Sequence, residues 1–379
     1  MKYPPLYPDY REVVAPSKKR WGIALLAGNL LCVLCTLWLW PADKPVRTVE
    51  FWFWVIVFPA LVIGLLFALR SMVYQVASGN RRAWRHIMQQ EEAQWWQQRS
   101  AGLPITLWCL LGPGGDKPEH HLHALAQDIP PPKPVITAQC LRVLRCPQIL
   151  ENDISRRGTA LTRHLVQTLL DTCQSQTACP PIFEALYWCG SPEEGQRFMQ
   201  ALSTEGWRFR QPLLPLDDIE QLDKAIDHYQ RLSGDKSVRL LFAGVYCAAL
   251  DDDTEIAGEA GFVWCAGEQG NVVVRRAERQ DRPDETAQML TGRVEKLAQL
   301  ASPPPHCFSF HRGAAEYLQS GGWPTLENIQ QPFWGELQKI SPFTAISMAA
   351  LQSLQTGQPC GWITQDNARK YITGVISVD

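Results

Sequence analysis

Two uncharged apolar runs, residues 21–40 and 51–69, set what this chain can fold into. They hold twenty and nineteen residues and are parted by ten polar ones. At 1.5 Å of helical rise per residue each reaches roughly 30 Å, the thickness of a bilayer's hydrocarbon core. Helices in the core of a water-soluble domain seldom run that long without a charge. The intervening PADKPVRTVE has four charges and two prolines, too polar for lipid and too short for a domain. The expectation is a helical hairpin over 21–73 that crosses a membrane twice, behind a tail at 1–20.

The flanks agree with a membrane reading and give it a direction. Trp38, Trp40, Trp52 and Trp54 gather at the loop end and Trp21 at the other, the boundary positions that indole rings favour. Lys18, Lys19 and Arg20 precede the first run, and Arg70, Arg81 and Arg82 follow the second. The loop's Lys44 and Arg47 are offset by Asp43 and Glu50. The excess of cations at both outer ends places both ends in the cytoplasm of a bacterial inner membrane. Pro59 and Gly64 are tolerated in membrane helices. The first run is too long for a cleavable signal peptide, and a second follows it.

The rest of the chain has ordinary composition for a folded domain, 46% hydrophobic and 20% charged over the whole sequence. A net charge of −2 gives no sign of a nucleic-acid binder. Of the 12 cysteines, Cys32 and Cys35 lie in the first run and the others on the expected cytoplasmic side, where thiols stay reduced. No disulfides are expected. The Pro- and Tyr-rich stretch at 1–17 reads as an extended tail. Residues 74–100 read as an amphipathic helix with Trp84, Met88 and Trp95 near one stripe. It would lie at the membrane surface, pack on the following domain or act as a connector.

From residue 101 to 379 apolar stretches alternate with helical patterns, which argues an α/β domain with a largely covered sheet. Strands are expected around 103–111, 182–189 and 238–247, and as a closing pair after residue 360. Residues 258–267 and 271–279 read as a hairpin. Helices are expected over 151–173, with Leu161, Leu165, Leu169 and Leu170 on one face, and over 192–205, 217–232, 282–300 and 340–354. The stretch carrying His120, His121 and His123 reads as an exposed loop, with no carboxylate at fixed spacing to complete a metal site. The cysteine spacings 140/146 and 173/179 are not C-x-x-C. The turn at 112–115 lacks a phosphate-loop lysine, G-x-S-x-G is absent, and 251–253 is an acidic loop. No cofactor or metal is implied.

One order of segments is more informative. VRLLFAGVYCAAL, GEAGFVWCAG, PPHCFSFHRG and LQKISPFTAISMAALQSLQTGQ, followed by a closing strand pair, resemble the C-terminal half of thiolases and β-ketoacyl synthases. Ala243 and Gly244 stand at the end of the strand, Gly258, Glu259 and Ala260 at the family's Gly-Glu-Gly-Ala turn, and residues 345–350 at the small-residue start of its helix. The resemblance implies a layered thiolase-like α/β fold and a homodimer paired through sheet edges. It also implies a cysteine nucleophile at the start of a buried helix, with two histidines supporting it. Here the helix start reads LPLDDIEQ, whose acids would raise a thiol's pKa. His311 falls at the first histidine position, and the second, near KISPFTA, has none. A Claisen-type mechanism without these groups loses its covalent strategy.

The reading that follows is a pseudoenzyme domain anchored to the bilayer and binding a protein partner. An adaptor or immunity protein of a bacterial toxin or secretion system fits that class. One alternative is a membrane-associated enzyme acting on acyl or lipid thioesters through Cys179, Cys189, Cys247 or Cys307. The other is a signal transducer sensing through the ten-residue loop.

Overall fold

The computed structural model describes residues 7, 8, 10, 12–39, 41, 45, 48–137, 141–174, 181–232, 238–247, 255–282, 284–366 and 368–378. Trp40, Asp43, Lys44, Arg47, Cys140, Cys179 and the acidic stretch 251–253 lie outside the described residues. The chain divides into two compact units, Met1–Trp96 and Gln97–Asp379.

The first unit is built on α1 (Lys18–Leu39) and α2 (Val49–Arg99), both long and apolar enough to cross a membrane. The face of α1 that is half-buried carries Trp21, Leu25, Gly28, Cys32 and Thr36. The Trp21 ring meets Phe67 edge-on at 5.5 Å, and Gly28 lies so close to Ile63 that a Cβ would sit 2.5 Å from its Cδ1. The two helices therefore run antiparallel. Gly28, Cys32 and Thr36, four residues apart, are the small side chains that let membrane helices approach closely. Ile23, Leu26, Leu30, Leu34 and Leu37 are exposed on the rest of α1. In α2, residues Phe53–Val57 form a π-helical turn directly before Pro59, which has no N–H to give to the carbonyl four residues back. Beyond that turn the helix continues without interruption from the apolar run into the amphipathic stretch.

The second unit contains β1 (Leu103–Leu111), α3 (Pro118–Ala126), β2 (Val135–Ile136), β3 (Arg142–Leu144), α4 (Ile154–Gln174), β4 (Ile182–Phe183), β5 (Ala185–Cys189), α5 (Pro192–Thr204), β6 (Arg208–Phe209), β7 (Leu214–Pro215) and α6 (Ile219–Leu232). It continues with β8 (Leu240–Cys247), β9 (Ala257–Ala266), β10 (Val272–Val274), β11 (Glu278–Arg279), α7 (Ala287–Leu297), β12 (His306–Ser309), α8 (Arg312–Ser320), α9 (Gln331–Trp334), α10 (Ser341–Thr356), β13 (Cys360–Gln365) and β14 (Tyr371–Val378).

One mixed sheet runs in the order β12-β13-β14-β10-β1-β9-β8-β5-β7. Both faces are covered, and the period-2 alternation of strands shows it. In β8, Leu240 and Phe242 enter one core, while Leu241, Ala243 and Val245 enter the other. The first core lies against α10 and α6. The second lies against α4 and α5, with Leu161, Leu165 and Leu169 fully buried as their spacing predicts. A third cluster places Val294 of α7 and Ala314 and Leu318 of α8 against Ile363 and Val375. The small and apolar residues of α10 are buried on nearly every side, and the helix stops at Gly357, whose φ of 67° is the left-handed cap glycine favours.

Two expectations need correction. Residues 258–267 and 271–279 are strands but not a hairpin: β1 enters between β9 and β10 and pairs antiparallel with both. Adjacency in sequence gave way to a strand with a more apolar sequence and two edges to satisfy. The triple-histidine stretch is the helix α3, started by Pro118, and His121 is buried: its Nε2 lies 2.9 Å from the Leu110 carbonyl and its ring stacks on Trp334 at 5.3 Å. In addition, Gly258, Glu259 and Ala260 lie along β9 rather than in a turn, and Ala243 and Gly244 fall mid-strand in β8.

Candidate functional site

The starts of two helices from distant parts of the chain meet at one end of the sheet. Asp217 and Asp218 precede α6, and Asp218 caps it by accepting from the Gln221 N–H at 2.8 Å. Lys339 sits just before α10, and its Nζ lies 3.7 Å from Asp217 Oδ1. His311, two residues beyond β12, stands at the N-cap of α8. Its Nε2 faces both oxygens of Glu336, at 2.9 and 3.1 Å. Glu336 also accepts from Gln331 Nε2 at 2.6 Å. Its backbone is held too: its N–H donates to Ile256 at 2.8 Å, and its carbonyl accepts from Gly258 at 2.9 Å. A cavity of about 360 Å³ is lined by Glu255, His311, Gln331, Glu336, Gln338, Ser341, Gln365, Asp366 and Arg369.

This arrangement has limited chemistry. The carboxylate facing Nε2 can only accept there, so Nε2 is the donor of this pair. Nδ1 is buried and has no hydrogen-bond partner among the described residues. The hydroxyl that lines the cavity, Ser341 Oγ, is bonded to Thr364 Oγ1. Asp217 and Asp218, not a thiol, stand at the start of α6.

The candidate thiols lie in protecting surroundings. Burial pushes Cys189 up to about 12, with the Asp217 charge adding to it and Lys339 opposing it. Cys247 is likewise pushed up to about 12 by burial and then by Glu194 and Glu259. Burial raises Cys307 as well. These three are protonated at neutral pH and weak as nucleophiles. Glu336 and the Lys339–Asp217 pair were not legible in sequence, because nothing local marks residues that meet only through the fold.

The structural comparison bears on this unit. The ishigamide ketosynthase/chain length factor superposes with a TM-score of 0.51 at 13% identity, covering 73% of this chain and 99% of that one. Its fold is thiolase-like. A second solved structure, the oxazolomycin ketosynthase domain OzmH KS7 of Streptomyces albus JA3453, matches with a TM-score of 0.50 at 8% identity, over 73% of this chain and 75% of that one. No protein-family model matches the sequence, and no curated protein matches it at a significant level. The thiolase-like reading of segments around residues 238–379 is thus carried by fold, not by sequence identity.

The residues expected to hold the chain in a membrane sit in the first unit. Trp38, Trp52 and Trp54 are exposed, whereas Trp21 is half-buried against Phe67. Lys18, Lys19 and Arg20 open α1 and are exposed. Arg70 Nη2 reaches the Val14 carbonyl at 3.4 Å, Arg81 lies 3.7 Å from Glu12, and Arg82 is exposed. Because α1 and α2 are antiparallel, all six cations fall at the same end of the hairpin.

Proposed function

We propose that this chain is a bacterial inner-membrane protein with both ends in the cytoplasm, whose thiolase-like unit is a catalytically emptied scaffold that binds a protein partner. The observation that carries the reading is the acidic start of α6, where Asp217 engages Lys339 in place of a reactive thiol. The engagement of His311 by Glu336 and the burial of Cys189 and Cys307 support it. Anchoring keeps the binding surface beside the bilayer, which suits a partner that is translocated or membrane-active. An adaptor or immunity role around a toxin or secretion system fits that setting. The sheet edges offer a homodimer contact as a second use of the same scaffold.

The test replaces Cys179, Cys189, Cys247 and Cys307 singly by Ser, and His311 by Gln, in the full-length protein in its own cell. Affinity capture in detergent then compares partner recovery and phenotype with wild type. The scaffold reading expects both unchanged at every position. Loss of phenotype at one cysteine, with the variant folded and still capturing its partner, would favour the thioester-enzyme alternative.

A further inference from the structure

We propose that the outer edge of β12 takes up an extended, cationic segment of the protein partner. The inference rests on the partner-binding reading and names the surface and the chemistry that would serve it. β12 stands at one end of the sheet and pairs in parallel with β13. Successive residues of a strand turn their N–H and C=O to opposite edges. Phe310 faces β13, for its N–H donates to the Ile363 carbonyl at 3.1 Å. Ser309 faces away: its N–H donates to the Asn328 carbonyl at 2.9 Å, and its own carbonyl accepts from the Gln330 N–H at 2.8 Å. That cover is a single bridge, Ser309 to Ile329. Two residues back, Cys307 turns its N–H and carbonyl to the same outer edge, and neither has a partner among the described residues. Buried backbone groups are nearly always paired. An open donor and acceptor on a residue only 7% exposed mark a place that another backbone completes.

That place is reachable. Cys307 lines a cavity of about 260 Å³. A second cavity of about 650 Å³, along α3 and the end of α10, shares Leu125, Ala126, Asn328 and Gln352 with the first, so the two form one cleft. Charge selects the occupant. Glu119, Asp128 and Glu327 are exposed on the cleft, and among the described residues no Lys or Arg lines either cavity. Leu122 and Leu125 add apolar surface. A helical partner spends its backbone groups on itself and leaves Cys307 unserved. An extended segment offers a donor and an acceptor at strand spacing, and alternate side chains enter the pockets beside the edge. Lysine or arginine alternating with apolar residues therefore meets the open backbone, the carboxylates and the leucines together.

The experiment uses the full-length protein in detergent and a fluorescent peptide of alternating lysine and valine, followed by anisotropy. Two further peptides are N-methylated at every lysine amide or at every valine amide. One of these should bind roughly five- to a hundred-fold more weakly, the loss of two backbone hydrogen bonds, and the other nearly as well as the parent. This arm leaves the protein untouched, so it does not depend on a variant folding. The Glu119→Gln, Glu327→Gln double variant should bind the parent peptide roughly two- to thirty-fold more weakly, the range for two exposed ion pairs. Failure of the parent peptide to bind overturns the proposal. So does equal binding of the two methylated peptides, or a double variant that binds like wild type. Affinity capture separates the two levels. If wild type and the double variant recover a partner equally, this cleft is not the site and the scaffold reading stands; if wild type recovers none, both fail.

Discussion

Protonation of His121 would place a positive charge between the Trp334 ring and β1. Burial holds its pKa down to about 4 from the ordinary 6.5, although the hydrogen bond to Leu110 works in the other direction. Folding therefore favours the neutral ring. That contribution is complete above pH 6.5 and is lost as pH falls from 6.5 towards 4, about 3 kcal/mol in all. The difference in melting temperature between wild type and His121→Gln, measured in detergent across that interval, should shrink as pH falls. A constant difference would show that the ring does not titrate in the fold. Arg157 and Glu259 make a contrasting buried pair. Arg157 is 2% exposed, donates to Glu259 through Nε and Nη2, and gives Nη1 to the Ile149 carbonyl at 2.8 Å and Nη2 to the Cys146 carbonyl at 3.0 Å. Glu259 also accepts from the Cys146 N–H at 2.8 Å. Replacing Glu259 by Gln leaves a buried guanidinium without its counter-charge, so a loss of about 3–5 kcal/mol is expected from denaturant midpoints. The Arg157→Met, Glu259→Met double variant should lose less than the sum of the two single changes.

Among the elements, β9 is buried along its whole length. A Cβ on Gly258 would fall 1.8 Å from the Trp334 carbonyl, so the segment carrying α9 and Glu336 rests directly on that strand. Gly258→Ala should displace it and cost several kcal/mol, seen as a lowered melting temperature and a weakened His311–Glu336 contact. Helices were well legible at this scale: α4, α5, α6 and α10 declare themselves through leucine faces or small apolar runs that only a 3.6 period brings together. The order of the sheet was not. Pairing in a sheet depends on partners far apart in the chain, and nothing local to β9 or β10 tells that β1 lies between them. The helix α3 was hidden because Pro118 and three histidines resemble loop composition, whereas its Ala124 and Leu125 dock in the core. The candidate site was legible only in outline. His311 and the acidic start of α6 stand out in sequence, but Glu336 and Lys339 become neighbours of these residues only through folding.

For the whole molecule, the antiparallel hairpin makes a topological statement that can be measured. Reporter tags on the two chain ends should respond alike, active in the cytoplasm and silent outside, while a tag in the ten-residue loop gives the opposite result. Opposite behaviour of the two ends would remove the two-pass arrangement. The position of β1 has a further consequence, for the time course of synthesis. It is among the first parts of the second unit to leave the ribosome, yet its two neighbours, β9 and β10, are made about 150 residues later, on the order of ten seconds at typical elongation rates. Throughout that interval a nascent, largely apolar strand waits with neither flank occupied, so production of this protein should depend on a holding chaperone far more than its finished shape would suggest.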